Sequence, residues 1–160
     1  MNARRTLRVD HSFADWEGLL ALIRYSFAYM DGRIDPPSSA VALTVDALRQ
    51  KADAEIAFVV IEDETLVGCV FCRPEPDCLY VGKLAVLPDR QGKGLGRHLL
   101  ALAEATARDQ GLQALRLETR IELTENHAAF AACGFVKTAE NAHPGFDRTT
   151  SIEMRKRLDL

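Results

Sequence analysis

The segment Val86-Leu87-Pro88-Asp89-Arg90-Gln91-Gly92-Lys93-Gly94-Leu95-Gly96-Arg97 joins two stretches of different character. Before it, Leu79 to Val86 reads as a strand; after it, Leu95 to Gln110 reads as an amphipathic helix. A strand, a glycine-rich turn and a helix start together make an anion site. The first N–H groups of a helix have no internal acceptor, and the helix dipole places partial positive charge beside them. Glycines let the backbone approach a phosphate closely. Lys93 and Arg97 add formal charge next to those donors.

Two better-known phosphate loops fail on spacing. The dinucleotide fingerprint G-x-G-x-x-G meets Gly92, Gly94 and Gly96 in the order G-x-G-x-G. The P-loop meets Leu87 where its first glycine belongs and Gly94 where Ser or Thr belongs. What fits is Gln91-x-x-Gly94-x-Gly96, which closely resembles the pyrophosphate-binding Q/R-x-x-G-x-G/A motif of the GCN5-related N-acetyltransferase (GNAT) family.

The chain has 160 residues, 48% of them hydrophobic, which predicts a single domain over 1–160 with a substantial core. A net charge of −3 argues against nucleic acid as a partner, and no apolar run reaches membrane-spanning length. With no apolar signal core after Met1-Asn2-Ala3-Arg4-Arg5, a soluble cytoplasmic protein is expected. Of the four cysteines, Cys69 and Cys72 are spaced as a zinc pair, with Cys78 nearby. They sit in a strand-like run, where positions three apart face opposite ways, so free buried thiols and no metal are expected.

Outward from the glycine turn, the chain reads as a βααβββαβαββ order. Thr6 to Asp10 is a short strand with Leu7 and Val9 alternating, and Ser12-x-x-Asp15 reads as a helix start. Trp16, Leu19, Leu20, Ile23, Phe27 and Met30 form a helical stripe, ended by Gly32 and Pro36-Pro37. A second helix runs from Thr44 to Ala52. Ile56 to Glu62, the turn Asp63-Glu64 and Thr65 to Arg73 make a hairpin; a second turn at residues 74–77 leads into Cys78 to Val86, giving an antiparallel meander. Leu95, Leu99, Leu102, Ala103 and Thr106 stripe the third helix, with Glu104 and Arg108 as an i,i+4 pair. Ala114 to Arg120 follows as a strand, with a parallel crossover implied. A short helix from Thr124 or Glu125 to Cys133 and strands at Phe135 to Thr138 and Thr150 to Leu158 complete the chain.

The resemblance spans nearly the whole chain. It is specific at Leu84 to Arg97, supported by Leu117-Glu118-Thr119-Arg120, Asn126 and Cys133-Gly134-Phe135, and weak before residue 55. It implies an α/β fold of the α+β type: a mixed, mostly antiparallel, six- to seven-stranded sheet flanked by helices, the GNAT acyl-CoA N-acyltransferase fold. The sheet would splay between its fourth and fifth strands. It further implies acetyl-CoA as acyl donor, an amine of a small molecule or peptide as acceptor, and direct transfer; a homodimer is compatible with it. Leu84, Ala85 and Val86 would offer backbone groups to the pantetheine arm and the thioester carbonyl. Gln91, Gly92, Lys93, Gly94, Leu95, Gly96 and Arg97 would hold the pyrophosphate; Asn126, about one helical turn from the family's usual position, would contact the cofactor or simply serve the helix start.

The attacking amine must lose a proton, and Glu118 is the candidate base, because a Leu-Glu-x-Arg glutamate has that role in several relatives. The competing reading is a Glu118 paired with Arg116 or Arg120. The family's usual tyrosine that protonates the thiolate corresponds to Phe130, which has no proton to give. His127, His143 and the loop residues Tyr29, Asp31, Arg33 and Asp35 are secondary candidates for acid–base work or acceptor contacts, against the plainer readings of a structural histidine at a helix start and of solvated loop residues. Two rival functions stand beside the transferase. One is a non-catalytic acyl-CoA-binding sensor; the other is a Rossmann-type domain, which the meander argues against.

Overall fold

The strand that enters the glycine turn is the middle strand of the sheet. In the computed structural model, which describes residues 4–159, β1 (Arg4–Arg8) is followed by α1 (Trp16–Phe27) and α2 (Val45–Ala54). Then come β2 (Ile56–Glu62), β3 (Thr65–Pro74), β4 (Leu79–Val86), α3 (Leu95–Asp109), β5 (Ala114–Arg120), α4 (Thr124–Ala132), β6 (Val136–Asn141) and β7 (Ser151–Arg157). The seven strands lie in the order β1-β2-β3-β4-β5-β7-β6. All neighbours are antiparallel except β4 and β5, so the meander and the crossover through α3 are both present.

Both faces of the sheet are covered, and alternation sorts the side chains between them. Val60, Val70, Cys72 and Val81 join Leu95, Leu99 and Ala103 of α3 in one core. Val59, Cys69, Phe71 and Ala85 join Leu19, Ile23 and Leu48 of α1 and α2 in the other. Cys69 and Cys72 therefore bury their thiols in different cores, and Cys69 Sγ donates to the Lys83 carbonyl (3.3 Å). Asp63 and Glu64 take positive φ in the tight hairpin turn, and Thr44 caps α2 by accepting from Ala47 N (3.1 Å).

Several local expectations are corrected. The first strand ends at Arg8; Leu7 lies on an edge strand and stays 40% exposed, while Val9 is buried beyond the strand end. Ser12 does not cap α1, because Asp10 takes both its N–H and its hydroxyl; Asp15 caps instead, accepting from Gly18 N. The buried face of α1 includes Leu22 and Ser26, and Met30 falls in a 3₁₀ turn after the helix. On α3, Leu100 and Ala107 are buried while Leu102 is half-buried. Glu104 and Arg108 do not pair: Glu104 takes Lys156 of β7 (2.6 Å), and Arg108 donates to the Asp159 carbonyl. Tertiary partners displaced the local one. The sixth strand begins one residue later than expected, because Phe135 is buried in the core ahead of it.

Candidate active site

β4 and β5 pair only at their first residues, Leu79 with Leu115 and Tyr80 with Arg116. Beyond that point β4 changes register against β3 between Cys69 and Phe71, and Lys83 takes a φ of 47°. This is a bulge, and a bulged strand bends away from its neighbour. The two strands open into a wedge. Leu87 N donates to Val67 O, so by alternation Leu84 and Val86 direct their peptide groups to the wedge side rather than to β3. Gln91 Nε2 donates to the Val86 carbonyl (3.1 Å), tying the glycine turn to the edge of the wedge.

The closed end of the wedge is fastened by charge. Arg116 donates to both oxygens of Glu75 (2.9 and 3.0 Å), and Tyr80 lies between Arg116 and Arg73, with cation-to-ring distances of 4.5 and 4.7 Å. The Arg116 hydrogen bonds hold the Glu75 carboxyl down at about 2. Nothing in the sequence marked Glu75 or Tyr80; their roles depend on the two-residue parallel pairing.

At the open end lies the glycine turn. Pro88–Arg90 form a 3₁₀ turn, Gly92 and Gly94 take φ of 77° and 85°, and Gly94 is the N-cap of α3. The first hydrogen bond of the helix is His98 N to Gly94 O. Among the described residues, the N–H groups of residues 92–97 have no acceptor. A side chain built at Gly92, Gly94 or Gly96 would meet nothing within 4 Å. Open space, orphan donors and the exposed cations Lys93 and Arg97 fit an anionic phosphate group. The turn is anchored from behind, where the buried Glu62 accepts from Arg90 and from Arg4 (both 3.3 Å).

Glu118 lies on β5 between Arg116 and Arg120, opposite the buried Leu117 and Thr119. It accepts from Arg116 Nη1 (3.1 Å) and is partly exposed on the α1–α2 face. Arg120 does not pair with it; it donates to the carbonyls of Pro36 and Pro37 (2.7 and 3.1 Å). The loop after α1 is thereby strapped over this face. Arg33 pairs with Glu125 (2.7 Å), Arg148 pairs with Asp35 (3.2 Å), and Asp35 N donates to Glu122 (3.1 Å).

Asn126 donates to the Tyr29 hydroxyl (3.1 Å), so it braces that loop against α4. His127 Nε2 bonds the Arg120 carbonyl (2.9 Å), and His143 is engaged with Thr150 through its own N–H and its ring. Phe130 packs edge-on against Phe135, with centroids 5.8 Å apart. Lys83 stands half-buried on the α1–α2 face, donating to Ser39 Oγ (2.8 Å).

A seven-stranded mixed sheet with a β4–β5 wedge opening onto a glycine-turn helix start is the fold found in solved acetyltransferase structures. The sequence model of the acetyltransferase (GNAT) family matches residues 21–135, and the chain belongs to that family. A segment of 53 residues is 47% identical to an aminoglycoside N(6')-acetyltransferase type 1 of Stenotrophomonas maltophilia; the match spans 33% of this chain and 35% of that relative. The fold is shared with the PaiA N-acetyltransferase of Thermoplasma acidophilum, solved in complex with coenzyme A (TM-score 0.80, 16% identity, 96% of this chain and 99% of that one). It is also shared with a streptothricin acetyltransferase of Bacillus anthracis solved with acetyl coenzyme A (TM-score 0.62, 18% identity, 66% and 64%).

Proposed function

We propose that this chain is an N-acetyltransferase that moves the acetyl group of acetyl-CoA directly to the primary amine of a small molecule or peptide. The observation that carries the reading is the continuity of the wedge with the cradle. The N–H groups of Leu84 and Val86, left without a β5 partner, run directly into the orphan N–H groups of residues 92–97. Gly92, Lys93, Gly94, Leu95, Gly96 and Arg97 hold the pyrophosphate, and Gln91 braces the cradle from Val86. Family membership supports the same chemistry.

In this mechanism the amine lone pair attacks the thioester carbonyl carbon. Backbone N–H groups at the β4 edge receive the oxygen as it gains charge, an arrangement worth several kcal/mol when the donors are preorganised. Glu118 takes the ammonium proton, directly or through water, before or as the C–N bond forms. The C–S bond then breaks and the thiolate leaves. Phe130 supplies no proton, so water or the solvent-exposed rim does. Asn126 acts as a brace on Tyr29 in this account, and its contact with the cofactor belongs to the same proposal.

The test is amine-dependent release of free CoA from acetyl-CoA, screened over amines, amino acids, polyamines, aminoglycosides and peptide N-termini. Turnover with at least one class is expected. Tight acetyl-CoA binding with no release in any class would instead favour a non-catalytic acyl-CoA sensor, a reading supported by Phe130 and by the pairing of Glu118 with Arg116.

A further inference from the structure

Among the described residues, three non-glycine residues have positive φ; Asp63 and Glu64 make the hairpin turn, and the third, Lys83, sits inside a strand. A long side chain in this conformation is strained by about 1–2 kcal/mol. The strain has a definite effect on where the side chain goes. Val81 and the half-buried Leu84 both pack in the α3 core, while Ala85 packs in the α1–α2 core. Without the bulge, Lys83 would share Val81's face and be driven into the apolar α3 core. With it, Lys83 emerges on the opposite face, beside Ser39. That places an ammonium one residue before the peptide groups assigned to the thioester.

The ammonium has three donors, and the described residues use one of them, on Ser39 Oγ. Around it stand Lys51, Glu55 and the Cys69 thiol; Lys51 holds one Glu55 oxygen (2.7 Å), and the other, Oε1, is buried without a partner. Burial first, and then the charge of Lys51, push the Lys83 pKa down. An anion arriving at Lys83 offsets both effects by favouring the charged ammonium. Meanwhile the carboxylates nearest the wedge already have guanidinium partners: Glu118 has Arg116, Glu125 has Arg33, and Asp35 and Glu122 have Arg148. Asp31 stands apart, on a 330 Å³ cavity that it shares with Arg24. The face thus offers open donors on Lys83, while the unpartnered Oε1 atoms of Glu55 and Glu122 are buried.

We propose that Lys83 is the acceptor-specificity residue of this site, binding the carboxylate of a small amine such as an amino acid through the two donors that Ser39 leaves free. The inference rests on the transferase reading above and sharpens it: a polycation would have to bring its extra charges past the Lys83 ammonium.

The experiment compares matched amines that differ only in the carboxylate, L-phenylalanine with phenethylamine and L-lysine with cadaverine, alongside tobramycin, by CoA release. The parent chain is expected to favour the carboxylate member of each pair at least about tenfold in kcat/KM, about 1.4 kcal/mol. In Lys83→Met that ratio should collapse toward one through a raised KM for the carboxylate member, and Lys83→Arg should restore part of it. A parent chain that prefers the decarboxylated amines or tobramycin overturns the inference while leaving the transferase standing. So does a Lys83→Met ratio equal to the parent's. Bound acetyl-CoA with no release from any amine removes the transferase reading and this inference together.

Discussion

Arg116 reaches Glu118 with Nη1 at 3.1 Å while the same guanidinium holds both oxygens of Glu75, so the candidate base is positioned by the residue that closes the wedge. A carboxylate that accepts one hydrogen bond and remains 37% exposed can still take a proton from a substrate ammonium. Glu118→Gln keeps the shape and removes the basic group. Its kcat/KM should fall by about 10²–10⁴-fold with acetyl-CoA affinity retained, and raising the pH should recover part of the loss. Parental activity across the pH range would assign the deprotonation to water instead.

Gly94 is in the left-handed region and caps α3 with nothing near its α-carbon. Gly94→Val adds a branched side chain where the phosphate must approach and strains the backbone as well. Acetyl-CoA binding should weaken by at least tenfold, read by titration calorimetry on variant protein whose circular dichroism matches the parent. Undiminished affinity would move the pyrophosphate elsewhere.

Glu75 ties the turn before β4 to β5, and its carboxyl is held at about 2 against an ordinary 4.5, chiefly by the Arg116 hydrogen bonds. A folded-state pKa below the unfolded one contributes stability that is present above the unfolded pKa and lost as pH falls toward the folded one. Glu75→Gln should therefore lower the melting temperature at neutral pH, with roughly 2–4 °C for each kcal/mol lost. The gap to the parent should narrow as pH is lowered from about 4.5 toward 2. A gap that stays constant through that range would mean that the ion pair does not stabilise the wedge.

Phe130 packs against Phe135 beside the α3 core and presents no hydroxyl. Phe130→Tyr adds one at the ring edge. Turnover is expected to hold or rise, with a rise confined to kcat, since the gain acts on the departing thiolate and not on binding. A fall in kcat without loss of stability would show that the apolar ring itself is needed there.

The strand–turn–helix at residues 79–109 was legible because periodicity, glycine spacing and charge all agree there. The hairpin at Asp63-Glu64 and the Thr44 cap were legible for the same reason: both are local. What sequence did not reveal depends on contacts between distant segments. Glu118's partner could be narrowed to Arg116 or Arg120, but the choice turns on Arg120 being taken by the carbonyls of Pro36 and Pro37. The Lys83 bulge leaves no signal in alternation, because a one-residue slip is visible only against the paired strand. The bond from Asn126 to the Tyr29 hydroxyl, in the 3₁₀ turn after α1, likewise joins distant segments and leaves no local signal.

We propose the orphan N–H groups of residues 92–97 as the pyrophosphate cradle of an acetyl-CoA site that continues along the β4 edge. Backbone amide chemical shifts of isotopically labelled protein, titrated with acetyl-CoA, test it most directly. Saturable shifts are expected, concentrated at residues 92–97 and at Leu84 to Val86, with β1 and β6 unmoved. Saturable binding whose shifts fall elsewhere, or no shifts at these amides at millimolar acetyl-CoA, would contradict it.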